Sequence, residues 1–173
     1  MAKREPTSLA MSTRVLFVCM GNICRSPMAE SVFRHMVRVA GLDDVVKVAS
    51  AGTHDFHEGE TPDKRAQHSL QKRGYNGADI RARKVSERDF EEFDLILAMD
   101  WDNLSLLQQV APKRFHHKLQ LLMRFASEHE TATVPDPYHG SAQNFEQVLD
   151  FVEDACGGLL EVAKRRATQV AAA

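Results

Sequence analysis

The sequence predicts an α/β fold in which a parallel sheet is covered by helices on both faces. Two observations carry this. Short apolar runs alternate along the chain with stretches of helical periodicity, the pattern of strands joined by helical crossovers. The runs Val15–Val18 and Leu95–Met99 are also uninterrupted, as in strands buried on both faces, rather than alternating apolar with polar.

Val15-Leu16-Phe17-Val18, β-branched and aromatic, reads as the first strand. Pro27 suits the first turn of a helix, where a missing N–H costs nothing. Met28, Val32, Met36 and Val39 then recur on one helical face up to Ala40, and Gly41 marks the end. Val45 to Ala49 is the second strand, and Pro62 to Arg73 a helix ending near Gly74. Ser86 is an N-cap for the helix opening Ser86-Glu87-Arg88-Asp89. Asp94 to Met99 is the third strand, and Asn103 to Val110 a helix interrupted by Pro112. Leu119 to Phe125 reads as four residues of strand and then a helical turn. Residues 127–141 are polar and contain prolines, a long loop of the kind that often carries function. From Gln143 to Arg166, Phe145, Val148, Leu149, Val152, Leu159, Leu160 and Ala163 outline a terminal amphipathic helix. Residues 1–12, with Pro6 and no usable period, read as a flexible extension in which Met11 is an alternative start. The domain is expected over 13–168, with 169–173 as a tail. No internal repeat is evident.

The 173 residues suit one domain, and 43% hydrophobic with 27% charged residues is ordinary for a globular protein with a real core. A formal net charge of −2 gives no general case for nucleic-acid binding, and Arg81, Arg83 and Lys84 read as a solvated face. Three cysteines, Cys19, Cys24 and Cys156, are too few for a disulfide scaffold, and no Cys/His spacing matches a structural zinc site. His54/His57 and His116-His117 read as surface histidines rather than metal pairs, and neither metal nor cofactor is expected. No segment approaches a transmembrane span and the start is polar rather than a signal peptide, so the expected setting is the reducing cytoplasm, away from membranes.

The chemistry is concentrated in Cys19-Met20-Gly21-Asn22-Ile23-Cys24-Arg25-Ser26-Pro27, between the first strand and the first helix. A tight loop there points several backbone N–H groups into one concavity at the positive end of a helix dipole. Such a cup favours an anion and also a thiolate. Cys19 at its base is the candidate nucleophile, and Arg25 can grip two phosphoryl oxygens as a planar fork, which lysine could not. Residues 20–26 are the candidate phosphate-binding set. A nucleotide P-loop would need Gly-Lys-Ser/Thr, and the loop lacks that lysine. Cys19 as a plain strand-end cysteine and Arg25 as a surface charge are disfavoured by the strand, Gly21, Asn22, Ser26 and Pro27 around them.

Cys19 to Pro27 resembles the phosphate loop of the low-molecular-weight protein tyrosine phosphatases. Val134-Pro135-Asp136-Pro137-Tyr138 resembles that family's general-acid loop. Ser50-Ala51-Gly52-Thr53, Pro62-Asp63, Ala82-Arg83 and Met99-Asp100 with Asn103 match in family order, from about Arg14 to the final helix. The resemblance implies a three-layer, doubly wound, four-stranded parallel sheet (phosphotyrosine protein phosphatase I-like), with the site beyond the strands' carboxyl ends. It implies a cofactor-free hydrolase for phosphotyrosine proteins and small aryl phosphates, acting as a monomer opposite a cognate tyrosine kinase. Cys19 would attack phosphorus, Arg25 and loop N–H groups would stabilise the equatorial oxygens, and Asp136 would protonate the departing phenol. Ser26 would donate to the Cys19 sulfur, and Asn22 with Ser50 would support the loop. Phe56 and Tyr138 would wall the mouth, although Phe56 also suits a core position, and Trp101 near the mouth suits packing. Two positions depart from the pattern. Ile80 stands where many relatives place a histidine beside the Asn–Ser pair, and His139 follows Tyr138 where another aromatic is usual.

Cys24, in the same loop as Cys19, is a candidate redox partner, because a curled loop brings two sulfurs within disulfide reach; a small packing residue is the alternative. Arsenate reductase shares this fold and loop but needs resolving cysteines in mid-chain, and none occurs between Cys24 and Cys156. A non-catalytic phosphate-binding module or phosphocysteine carrier would have no use for Asp136.

Overall fold

The computed structural model describes residues 12–172, so the extension expected over residues 1–12 lies, apart from Ser12, outside the described residues. Four strands, β1 (Thr13–Cys19), β2 (Val46–Gly52), β3 (Leu95–Ala98) and β4 (Leu119–Leu121), form one sheet in the order β2-β1-β3-β4. Every pairing is parallel. Parallel neighbours need crossovers, and the chain supplies α1 (Arg25–Val39), α2 (Lys64–Lys72), α3 (Glu87–Glu92) and α4 (Trp101–Val110) between strands, with α5 (Ala142–Ala172) last.

Side chains alternate across a strand, so the uninterrupted runs feed two separate cores. Val15, Phe17, Leu95 and Leu97 pack with Met28 and Phe33 of α1, Leu70 of α2 and Phe145, Leu149 and Val152 of α5. Leu16, Val18, Ile96 and Ala98 face the other way, onto Phe90 of α3 and Leu107 of α4. This is the three-layer, doubly wound arrangement. Phe17 meets Phe33 edge to face at 5.7 Å between ring centroids, and both are fully buried. Each such side chain contributes about 1.5–3 kcal/mol of burial.

Acidic side chains satisfy the starts of three helices, Asp63 and Asp100 as N-caps of α2 and α4, and Asp89 as the partner of the Ser86 cap in the capping box of α3. Asp63 accepts the Arg65 N–H at 2.8 Å, Asp89 accepts the Ser86 N–H at 2.7 Å, and Asp100 accepts the Asn103 N–H at 2.8 Å. Every expected element is present, with shifted ends. β2 runs on to Gly52, and α4 begins at Trp101 rather than Asn103 because Asp100 caps it. After Leu121 the chain turns into a 3₁₀ segment, Leu122–Phe125. α5 continues to Ala172, well past Arg166. Val39, expected on the buried face of α1, is 75% exposed; residues 38–41 are all exposed, where the last turn outruns the layers covering the helix. Among the described residues, no helix is long and apolar enough to cross a membrane.

From β1 the chain crosses to β2 on one side, and from β3 to β4 on the other. The carboxyl ends of β1 and β3 therefore sit side by side at a switch point, where crevices open in such sheets. Cys19 ends β1, and Met99-Asp100 follows β3.

Candidate active site

Cys19 is buried at the end of β1, and residues 20–24 turn the chain into the first residue of α1, Arg25. Asn22 makes that turn possible by taking a left-handed backbone, φ 58°. Its side chain is fully engaged. Nδ2 donates to Ser26 Oγ at 2.8 Å and to Ser50 Oγ at 2.9 Å, and Oδ1 accepts the Arg83 N–H at 3.0 Å. Because the Ser26 oxygen accepts from Asn22, its own hydrogen can go to Cys19 Sγ at 3.0 Å, with the Ala51 carbonyl a longer alternative at 3.4 Å. The end of β2 clamps the loop from the side: Thr53 N–H donates to Cys19 O at 2.9 Å and His54 N–H to Met20 O at 3.0 Å. A Cβ at Gly52 would lie 2.7 Å from the Met20 carbonyl oxygen, so this approach admits only glycine.

Arg25 is buried, yet its guanidinium reaches the cleft. Nη1 donates to Asp100 Oδ2 at 2.6 Å and to the Val134 carbonyl at 2.9 Å, and Nη2 lies 3.8 Å from Asp136 Oδ2. Burial works against its charge, but the negative charge of Cys19 and the Asp100 and Asp136 carboxylates prevail and push its pKa up. Arg25 thus also ties down the middle of the 127–141 loop, just before Asp136, helped by the Val134 N–H donating to Met99 O at 2.8 Å.

Cys19, Arg25 and Asp136 line one cleft of about 480 Å³, together with Met20, Gly21, Ile23 and Cys24 of the loop. Phe56 and Tyr138 stand at its mouth, Phe56 being 65% exposed rather than in the core. Rim rings support each other: His54 stacks on Phe56 at 4.8 Å, and His139 meets Tyr138 edge-on at 4.9 Å. His139 therefore keeps a flat ring at the departing position. Trp101 is 61% exposed at the start of α4 and does not line the cleft.

Cys24 and Cys156 are buried free thiols, and burial pushes both pKa values far up. For Cys24 the negative charges of Asp63, Cys19 and Asp136 add to the effect. Ile80, at the second departing position, is buried. On the far side of the Asn22–Ser50 pair is Glu30, buried in α1, whose carboxyl is raised by burial despite Arg34 at 2.7 Å and the Ser50 hydroxyl.

Three contributors were not legible as such. Asp100, partner of Arg25, showed only as a motif residue; its place just after a buried strand was the usable signal. His57, set aside as a surface histidine, lines the cleft and bonds Glu60 through Nδ1 at 2.7 Å. The backbone N–H of Arg83 on Asn22 leaves no trace in residue types.

The low molecular weight phosphotyrosine protein phosphatase family model matches residues 14–169. A putative low molecular weight protein-tyrosine-phosphatase of Synechocystis is 47% identical over 85% of this chain and 94% of its own length. Among solved structures, a protein tyrosine phosphatase of Entamoeba histolytica with Hepes in its active site superposes with a TM-score of 0.86 at 39% identity, over 89% of this chain and 98% of that one. YfkJ of Bacillus subtilis does so with a TM-score of 0.84 at 38% identity, over 89% and 96%. With that coverage from β1 into α5, the chain belongs to the low molecular weight phosphotyrosine protein phosphatase family.

Proposed function

We propose that the protein hydrolyses phosphotyrosine, in proteins and as small aryl phosphates, through a phosphocysteine on Cys19. The observation that carries this is the meeting, in one cleft, of a hydroxyl-bonded cysteine sulfur, a buried arginine and a half-exposed carboxylate from a distant loop.

The phosphoryl group sits on the loop N–H groups and the guanidinium, which is held by Nη1 bonds to Asp100 and Val134 O and so is aimed before substrate arrives. The Cys19 thiolate forms the S–P bond as the P–O bond to the phenol breaks. A phenol has a pKa of about 10, so the departing oxygen takes the Asp136 proton. Water then attacks phosphorus, giving its proton to the Asp136 carboxylate. The S–P bond breaks, with the Ser26 hydroxyl stabilising the returning thiolate, and phosphate leaves. The two displacements consume only water, and Cys19, Ser26 and Asp136 account for every bond and proton that changes hands. Phe56 and Tyr138 fit a phenyl ring and leave a short phosphoserine unsupported.

This reading extends to phosphotyrosine proteins as substrates, an opposing tyrosine kinase as functional partner, and a monomer in a reducing compartment where the thiolate survives. The test is phenol release from phenyl phosphate with no reductant supplied. Turnover that vanishes in Cys19→Ser, while inorganic phosphate still binds, supports the assignment; near-parent turnover by that variant overturns it.

A further inference from the structure

Asp136 sits midway along a loop held by two arginines. Arg25 bonds the carbonyl of Val134, two residues before it. Two residues after it, the Tyr138 ring lies under Arg65, with the guanidinium carbon 5.7 Å from the ring centroid. The same guanidinium lies 4.7 Å over the buried ring of Phe145 on α5. Arg65 is fixed from its other side by Asp63: Nε donates to Oδ1 at 3.1 Å and Nη2 to Oδ2 at 2.9 Å. This fork holds the guanidinium plane in one orientation. Asp63 is anchored in turn to the phosphate loop, its N–H donating to Ile23 O at 2.8 Å. The Tyr138 N–H closes the chain by donating to Asp136 Oδ1 at 3.1 Å. A continuous path therefore runs from the phosphate loop through Asp63, Arg65 and Tyr138 to the carboxyl group of Asp136.

We infer that Arg65 is a positioning residue that sets the general acid over the leaving oxygen. It touches neither the phosphoryl group nor the sulfur, and it does not line the cleft. Its work is geometric: a planar cation doubly bonded to Asp63 gives Tyr138 a rigid floor, and the backbone of Tyr138 orients the Asp136 carboxyl. Lysine carries the charge but has neither the fork nor the flat face. The inference rests on Asp136 being the acid, as proposed above.

The test compares kcat/KM for phenyl phosphate, whose leaving group needs a proton, with kcat/KM for dinitrophenyl phosphate, whose leaving group does not. Parent, Arg65→Gln, Arg65→Lys and Asp136→Asn are measured together, with inorganic phosphate binding as the check on the cup. Full general-acid catalysis is worth roughly 10²–10⁴-fold, and a misplaced acid forfeits part of it. Arg65→Gln and Arg65→Lys are expected to lose about tenfold on phenyl phosphate and less than about threefold on the activated ester, with phosphate affinity retained. Equal losses on both esters, or no loss in either variant, overturn the inference. Asp136→Asn separates the two claims. If it shows the leaving-group dependence and the Arg65 variants do not, only the role of Arg65 falls. If Asp136→Asn shows none, the acid assignment falls and the inference with it.

Discussion

Arg25 Nη1 donates to Asp100 Oδ2 at 2.6 Å, joining the first residue of α1 to the residue that caps α4. The bond crosses the switch point from β1 to β3. It fixes the guanidinium through Nη1, while Asp136 lies nearest Nη2, and supplies a counter-charge for a buried cation. Asp100→Asn keeps an acceptor for the α4 cap and removes the charge. It is expected to lower kcat/KM by about tenfold and destabilise the fold by on the order of 2 kcal/mol, less than the loss for a fully buried pair because Asp100 is partly exposed. Asp100→Ala also loses the cap and is expected to unfold with about 1 kcal/mol less still. Urea unfolding of the two variants beside the parent checks the order.

Arg25→Lys retains a positive charge but loses the fork that holds Asp100 and Val134 while facing phosphate. Turnover is expected to fall by at least about a hundredfold, with vanadate and phosphate affinity falling too, since loss of transition-state charge stabilisation is worth about 10²–10³. Steady-state kinetics with inhibition constants for both anions provide the check.

Asp154 gives the fold a pH dependence away from the cleft. Its carboxylate, 4% exposed, accepts backbone N–H groups of Ser127, Glu128 and His129 and faces His129 Nδ1 at 2.8 Å. Burial alone would raise its pKa, but these bonds prevail and bring it down to about 2 from 3.8. A folded pKa below the unfolded one means stability that is fully present above about pH 4 and lost as the pH falls toward 2, about 2 kcal/mol in all. Thermal unfolding should show Asp154→Asn well below the parent at pH 7, with the gap closing between pH 4 and 2. A gap that stays constant over that window would contradict the account.

Cys24 is proposed to protect Cys19. With its pKa held far up by burial, Cys24 is not the thiol that peroxide attacks first, yet it shares the loop with Cys19. Peroxide-inactivated parent is expected to recover most of its turnover with dithiothreitol, and Cys24→Ser to recover poorly. Inorganic phosphate should slow inactivation of both. Full recovery of Cys24→Ser would remove the protective role.

How much of this was written locally decides how much was legible. The Cys19–Pro27 run and the Val134–Tyr138 run are contiguous, so their chemistry could be read from neighbouring residue types. The strand runs were equally plain, because burial on both faces demands unbroken apolar sequence. What joins the parts was not readable. Asp100 to Arg25, Arg65 to Tyr138 and the Arg83 N–H to Asn22 are contacts between elements far apart in the chain, made by polar residues whose types fit any surface. Val39 failed for a related reason: periodicity assigns a face but not where the covering layer ends.

The proposed mechanism turns on a covalent bond between phosphorus and the Cys19 sulfur. Its most direct test is a rapid alkaline quench of the enzyme during turnover of para-nitrophenyl phosphate, followed by mass spectrometry of its peptides at alkaline pH, where the S–P bond survives. A phosphocysteine intermediate leaves one added phosphoryl group on the peptide containing Cys19, absent when Cys19→Ser is treated identically. A phosphoryl group on another residue, or parent enzyme that turns over without acquiring one, would contradict it.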